Sequence, residues 1–178
     1  MSFIPEQPKN SVDIVYFDDV KSVDGWKGQT TTKDIRRLTN EVIESLVRLG
    51  GIVIGIQRGT FKIQSKDREG FRLNYAVHAS DGSLVPGQLD IAALPVKDKW
   101  NDKKKQQSLK MSLFMLRDAL DGTWFLQQLS PGYSALMPWM LTDNGQTISE
   151  RWAESQVMNR LLPPGESEFV DGEIINNA

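Results

Sequence analysis

The chain of 178 residues reads as an α+β protein, an α-β-β-β-α core with a three-stranded antiparallel meander packed on helices. Three observations predict it. Two stretches, one on each side of the centre, carry apolar residues at helical spacing. Between them lie three runs with strand alternation and no helical pattern. The connections joining those runs are too short for parallel crossovers, so the strands must turn back on one another.

Residues 1–28 are expected to hold a strand and an acidic turn. SVDIVYF (11–17) alternates Val12, Ile14 and Tyr16 against Asp13, Val15 and Phe17, and Asp18, Asp19 and Asp24 follow as a solvated turn. The first helix is expected from Gln29 to Gly51. Ile35, Leu38, Val42, Leu46 and Leu49 form its stripe, broadened by Ile43 and Val47, and Thr31 with Asp34 makes a variant capping box. Gly50 and Gly51 supply its stop. Arg36, Arg37 and Arg48 belong to its polar side.

The strands are expected at 52–64, 70–79 and 84–94. In the second, Phe71, Leu73, Tyr75 and Val77 share one face, and Arg72, Asn74, Ala76 and His78 the other. SKDREG (65–70) and SDGS (80–83) have the chemistry of hairpin loops. Gly55 and Gly59 suggest a bulge or bend in the first strand. The third strand stops at Pro95.

The second helix is expected over Asp102–Gly122, with Asp102 as N-cap and Gly122 as a left-handed stop. Leu109, Leu113, Leu116 and Leu120 form its stripe, widened by Met111, Phe114, Met115 and Ala119. Thr123–Leu129 either continues it or starts a new turn. Lys103, Lys104 and Lys105 lie at the positive end of its dipole, with Asp118 and Asp121 near the negative end, so an anion at the start would relieve the mismatch. SPGY (130–133) is a turn, ALMPWML (135–141) an irregular apolar segment broken by Pro138, and DNGQ (143–146) another turn. A last helix is expected over Thr147–Leu162. Residues 29–162 thus form one α+β domain, and 163–178 a disordered acidic tail.

Composition excludes several chemistries. Without cysteine there is no disulfide framework and no thiolate ligand, and a single histidine rules out a histidine-rich metal site. No phosphate-binding loop, dinucleotide fingerprint, HExxH or GxSxG occurs. His78 has no partner legible in the sequence. Asp90 with Asp102-Lys103-Lys104 matches a nuclease pattern only loosely, because Asp102 reads as a helix cap. No enzyme activity, cofactor or metal is expected. The N-terminus lacks a basic region followed by an apolar core, and no apolar run is long enough to span a membrane, so a cytoplasmic protein is expected.

Charge is the positive signal. Residues 26–110 carry 16 Lys and Arg against 9 Asp and Glu, while the remainder carries 5 against 14. Two clusters dominate: Arg58, Lys62, Lys66, Arg68 and Arg72, then Lys97, Lys99, Lys103, Lys104, Lys105 and Lys110, with Trp100 inside the second. Lysines hold phosphates by point charge and aromatic rings stack bases, so the expected function is sequence-tolerant nucleic-acid binding, of unspecified type. A solvated lysine face and a Trp100 at the core margin would give the same sequence. The alternative is a protein-binding adaptor that engages a partner or a second copy of itself. Its candidate surface is Trp124, Met137, Trp139, Met140 and Trp152.

The order of elements over about residues 31–121, with Lys103–Lys105 opening the second helix, resembles the double-stranded RNA-binding domain. That resemblance implies phosphate contacts for Lys103, Lys104 and Lys105. The chain departs from the family in the loop before Lys103, which lacks a glycine-serine approach, and in having no GPxH-like motif before the second strand. The order is also similar to the core of phage single-strand annealing proteins. GQTTTKDI, DIAALPV and LSPGYSALMPWML look similar to segments of uncharacterised phage and prophage proteins, a resemblance that carries no assigned activity; the expected setting for nucleic-acid binding is a phage or mobile-element recombination or replication accessory.

Overall fold

The computed structural model describes residues 15–63, 66–130 and 134–154. The elements run α1 (Ile35–Arg48), β1 (Ile52–Ile63), β2 (Lys66–His78), β3 (Leu84–Ala92), α2 (Asp102–Leu129) and α3 (Ile148–Glu154). The fold is α+β, with the strands in the order β1-β2-β3, both pairs antiparallel. Among the described residues no helix is long and apolar enough to cross a membrane.

α1 starts later than its periodicity suggests. Asp34, not Thr31, is its cap, with the carboxylate accepting from the Arg37 N–H at 2.7 Å. Its C-terminal end is as expected. Gly50 is left-handed at φ 94°, and the N–H groups of Gly50 and Gly51 bond the carbonyls of Val47 and Leu46, a Schellman closure. Leu38, Val42, Leu46 and Leu49 are buried, while Val47 faces outward, 54% exposed.

The core lies between one face of the sheet and the two long helices. Phe71, Leu73, Tyr75 and Leu89 meet Leu38, Val42 and Leu46 of α1 and Leu109, Leu113, Leu116 and Leu120 of α2. Tyr75 is fully buried, and its hydroxyl donates to the Leu136 carbonyl at 3.2 Å. Burial pushes that phenol up to about 12.

Four local expectations are corrected. KDREG is not a loop: Lys66–Gly70 is β2 itself, paired back to Ile63, so β1 and β2 project as a two-stranded arm past the end of β3. Cross-strand pairs such as Arg58–Glu69 at 2.6 Å hold that polar ribbon together. The N-cap of α2 is Asn101, whose side-chain oxygen accepts from the Lys104 N–H at 3.0 Å. Gly122 does not stop α2, which runs on to Leu129 because Trp124 packs against the core beyond it. Asp118 and Asp121 therefore sit inside the helix, not at its negative end. Ala119 is exposed and does not widen the stripe.

Of the expected N-terminal strand, residues 11–14 lie outside the described residues. Val15 and Tyr16 are irregular, and Phe17–Asp19 forms a 3-10 turn. A second such turn spans Ser22–Asp24. Near the other end, Met137–Trp139 is a 3-10 turn and Met140 bridges to Gly87 at the edge of β3. Thr147 and Glu150 cap α3 reciprocally, each accepting from the other's N–H. The expected end of that helix, the SPGY turn beyond Ser130, and the acidic tail lie outside the described residues.

Candidate nucleic-acid interface

Parts of the two basic clusters, some thirty residues apart in sequence, meet at one cleft of about 680 Å³, which Asp67 and Glu69 also line. Lys66 and Arg68 of the arm form one wall. Lys97 and Lys99 of the linker and Lys105 of α2 form the other. Topology brings them together. β3 ends opposite Gly70, so the linker that follows must run alongside the projecting arm before α2 begins. Arg68 fixes that course: its Nε donates to the Ala93 carbonyl at 2.7 Å, and the Ala93 N–H donates to the Glu69 carbonyl at 2.7 Å. Burial lowers the Arg68 pKa, as expected for a partly buried guanidinium whose partners are neutral carbonyls.

Three of the other arm and sheet cations lie outside the cleft. Arg72 is on the sheet face opposite the helices, held by both oxygens of Asp90 at 2.9 and 2.8 Å. The hydrogen bond to Asp90 raises its pKa. Arg58 pairs with Glu69, and Lys62 is exposed on the arm with no ion pair described. The Asp90 of the loose nuclease pattern is thus committed to Arg72, while Asp102 stands 89% exposed in the first turn of α2.

At the start of α2 the lysines divide. Lys103 and Lys99 have no described ion pair, and Lys105 reaches Asp102 only at 3.6 Å. Lys110 is half-buried along the helix. Trp100, next to the cleft residue Lys99, is 88% exposed, so it does not fill the core margin. Lys97 and Lys104 are engaged by a group that the sequence reading left in solvent. Asp18 accepts from Lys104 Nζ at 2.5 Å and from the Lys97 N–H at 2.9 Å, and Asp19 accepts from Lys97 Nζ at 2.5 Å. The Lys104 hydrogen bond holds the Asp18 carboxyl below its usual range, and the Asp19 bond raises Lys97. Asp18 and Asp19 are therefore docked, not solvated, whereas Asp24 of the same turn is exposed. The turn's opposite sign to the basic body was the available signal.

The apolar residues of the alternative surface also divide. Trp124, Trp139 and Met140 pack against the core, whereas Met137 and Trp152 are about half exposed. The Arg48 guanidinium stacks on Trp124 at 3.6 Å. Phe125, Leu126 and Leu129, in the last turns of α2, are exposed, Leu129 to 80%. His78 is exposed at the end of β2. Among the described residues no group of three or more His, Cys, Asp or Glu side chains is arranged to hold a metal.

Compared with known proteins, the chain matches no family model, no curated protein and no solved structure. What stands of the resemblances is the α-β-β-β-α order with its antiparallel sheet.

Proposed function

We propose that the protein binds nucleic-acid strands with little sequence preference, through the cleft between the β1–β2 arm and the start of α2. The observation that carries this reading is the meeting of Lys66 and Arg68 with Lys97, Lys99 and Lys105 at one cleft, next to an exposed Trp100. Sequence tolerance follows from which cations are free. The arginines of the clusters, whose forked donors read guanine edges, are engaged by Glu69, by Asp90 and by backbone carbonyls. Among the described residues, the cluster cations without a strong partner are Lys62, Lys99, Lys103, Lys105 and the half-buried Lys110, and lysines hold phosphates as point charges. Trp100 adds a stacking surface that accepts any base.

The test is fluorescence anisotropy with labelled single-stranded and duplex DNA and RNA at 50 and 200 mM salt. Replacing Lys99, Lys103 and Lys105 with Gln should weaken binding about tenfold or more. It should also flatten the salt dependence by about 0.7 log unit per lost phosphate contact on single strands. Trp100→Ala should weaken single strands about tenfold and duplex much less. Folded wild-type protein that binds none of these at 50 mM salt would refute the reading.

A second reading, a protein-binding adaptor, draws on the exposed Phe125, Leu126 and Leu129. Sedimentation at several concentrations tests its self-associating form. A concentration-independent monomer counts against that form.

A further inference from the structure

The segment before α1 lays its own anions against lysines beside the basic cleft: Asp18 and Asp19 hold Lys97 and Lys104, and Tyr16 lines the cleft itself. Asp18 is the least exposed of the ion-paired carboxylates described, at 13%, so it is inserted between its partners instead of resting on the surface. It collects one ammonium and one backbone N–H, the kind of donor set that a phosphate oxygen would also take. Asp19 neutralises the Lys97 side chain. Tyr16 lines the cleft, with Lys66 Nζ 4.3 Å from its ring centroid and donating to its hydroxyl. Residues 15–19 thus engage three of the basic residues assigned to binding: Lys66, Lys97 and Lys104.

The attachment combines partial burial of Tyr16, Phe17 and Val20 with polar bonds that are mostly charged. Among the described residues, one backbone–backbone bond joins residues 15–20 to the linker, from the Phe17 N–H to the Pro95 carbonyl at 2.9 Å. Among the described residues no strand ladder includes residues 15–20. The segment's other hydrogen bonds to the linker and α2 use the Asp18 and Asp19 carboxylates, which a polyanion can replace group for group.

We propose that residues 15–19 form an autoinhibitory acidic strap, with Asp18 and Asp19 standing where phosphates of a bound strand would sit. Binding of a strand displaces the strap, and the free energy of displacement lowers the apparent affinity. The proposal rests on the nucleic-acid reading above and adds a regulatory contact to the same cleft.

The experiment compares the full wild-type chain with Asp18→Asn/Asp19→Asn. The control pair, Asp24→Asn/Glu44→Gln, removes the same charge from exposed positions with no described contact to a cluster lysine. The probe is a labelled 20-nucleotide single-stranded DNA at 50 mM salt. The strap variant should bind about tenfold or more tighter than wild type, and the control less than about threefold. Because the strap variant could lose stability, hydrogen exchange of the wild-type Phe17 amide is followed as well. That amide should exchange faster when the DNA is saturating.

Equal gains in the strap and control variants would overturn the proposal, as would an unchanged Phe17 amide at saturation. If wild type and strap variant bind equally, the strap falls and the binding reading stands. If neither folded protein binds, both fall. A strand bound by the strap variant alone supports both.

Discussion

Glu41→Gln is expected to destabilise the protein by about 2 to 3 kcal/mol in urea unfolding, with the fold retained. Glu41 sits on α1, facing α2, and is the acceptor at the centre of an inter-helix charge network. Lys33 Nζ donates to both its oxygens at 2.7 and 2.8 Å, and Arg117 Nη1 of α2 donates at 2.8 Å. The side chains of Lys33, Glu41 and Arg117 are only 27, 20 and 18% exposed. Gln preserves the volume but leaves two half-desolvated cations without their shared anion, and that residual charge is the larger part of the loss. Arg117 would keep its bond to Asp118 at 2.7 Å and its stacking on Phe114 at 4.2 Å, which bounds the effect below that of a fully buried pair. Glu44→Gln, on an exposed position one turn away, should stay within about 0.5 kcal/mol of wild type.

The same network sets the acid limit of stability. The Lys33 hydrogen bond leads in holding the Glu41 carboxyl below its ordinary 4.5; burial opposes it and Arg117 adds to it. For Asp118, burial pushes upward, but hydrogen bonds from Arg117 and Lys27 outweigh it and the net shift is downward. A carboxylate with a lowered folded pKa stabilises the fold fully above its unfolded value. That contribution disappears as pH falls through the lowered one. Stability measured in urea should therefore be flat at neutral pH and decline below about pH 4.5. Glu41→Gln should decline less steeply, because its charge is already absent.

Gly70→Ala should cost about 2 to 3 kcal/mol, and for a different reason. A Cβ at Gly70 would lie 2.1 Å from the Ile91 carbonyl oxygen, 2.9 Å from the Ala92 Cα and 2.7 Å from the Phe61 ring. The first two are backbone atoms of a paired strand, so relief requires β3 to move. Gly59 is directly opposite Gly70 in the register, yet a Cβ there meets nothing within 4 Å. Gly59→Ala should therefore remain within about 1 kcal/mol of wild type. Gly70 also marks the point where the arm leaves the three-stranded sheet. Shifting β3 there re-aims Lys66 and Arg68, so the variant should also bind nucleic acid more weakly at equal folded fraction.

The helices and strands were legible because their apolar stripes answer to one core. Leu38, Val42 and Leu46, and Leu109, Leu113 and Leu120, are buried as their spacing requires. Ends were less legible, since they depend on which of several neighbouring groups wins. Asp34 and Asn101 cap where Thr31 and Asp102 also could, and packing of Trp124 carries α2 past a glycine that local chemistry reads as a stop. SKDREG has loop composition, but backbone pairing with β1 and the Arg58–Glu69 ion pair keep Lys66–Gly70 extended. The basic clusters were visible as composition. The meeting of parts of them at one cleft was not, because it depends on β3 ending one arm's length before β2. Nor could sequence show which arginines are already engaged, or that Asp18 and Asp19 reach across 78 and more positions to Lys97 and Lys104.

The central claim is that a strand lies in the cleft beside Trp100. Photo-cross-linking of the wild-type chain to a 5-iodouracil-substituted single strand, followed by mass spectrometry of the adduct, locates the bound strand directly. The adduct should fall on Trp100, with Lys99/Lys103/Lys105→Gln reducing its yield about tenfold. Adducts confined to Trp124, Trp139 or Trp152 would place the strand elsewhere and contradict the account.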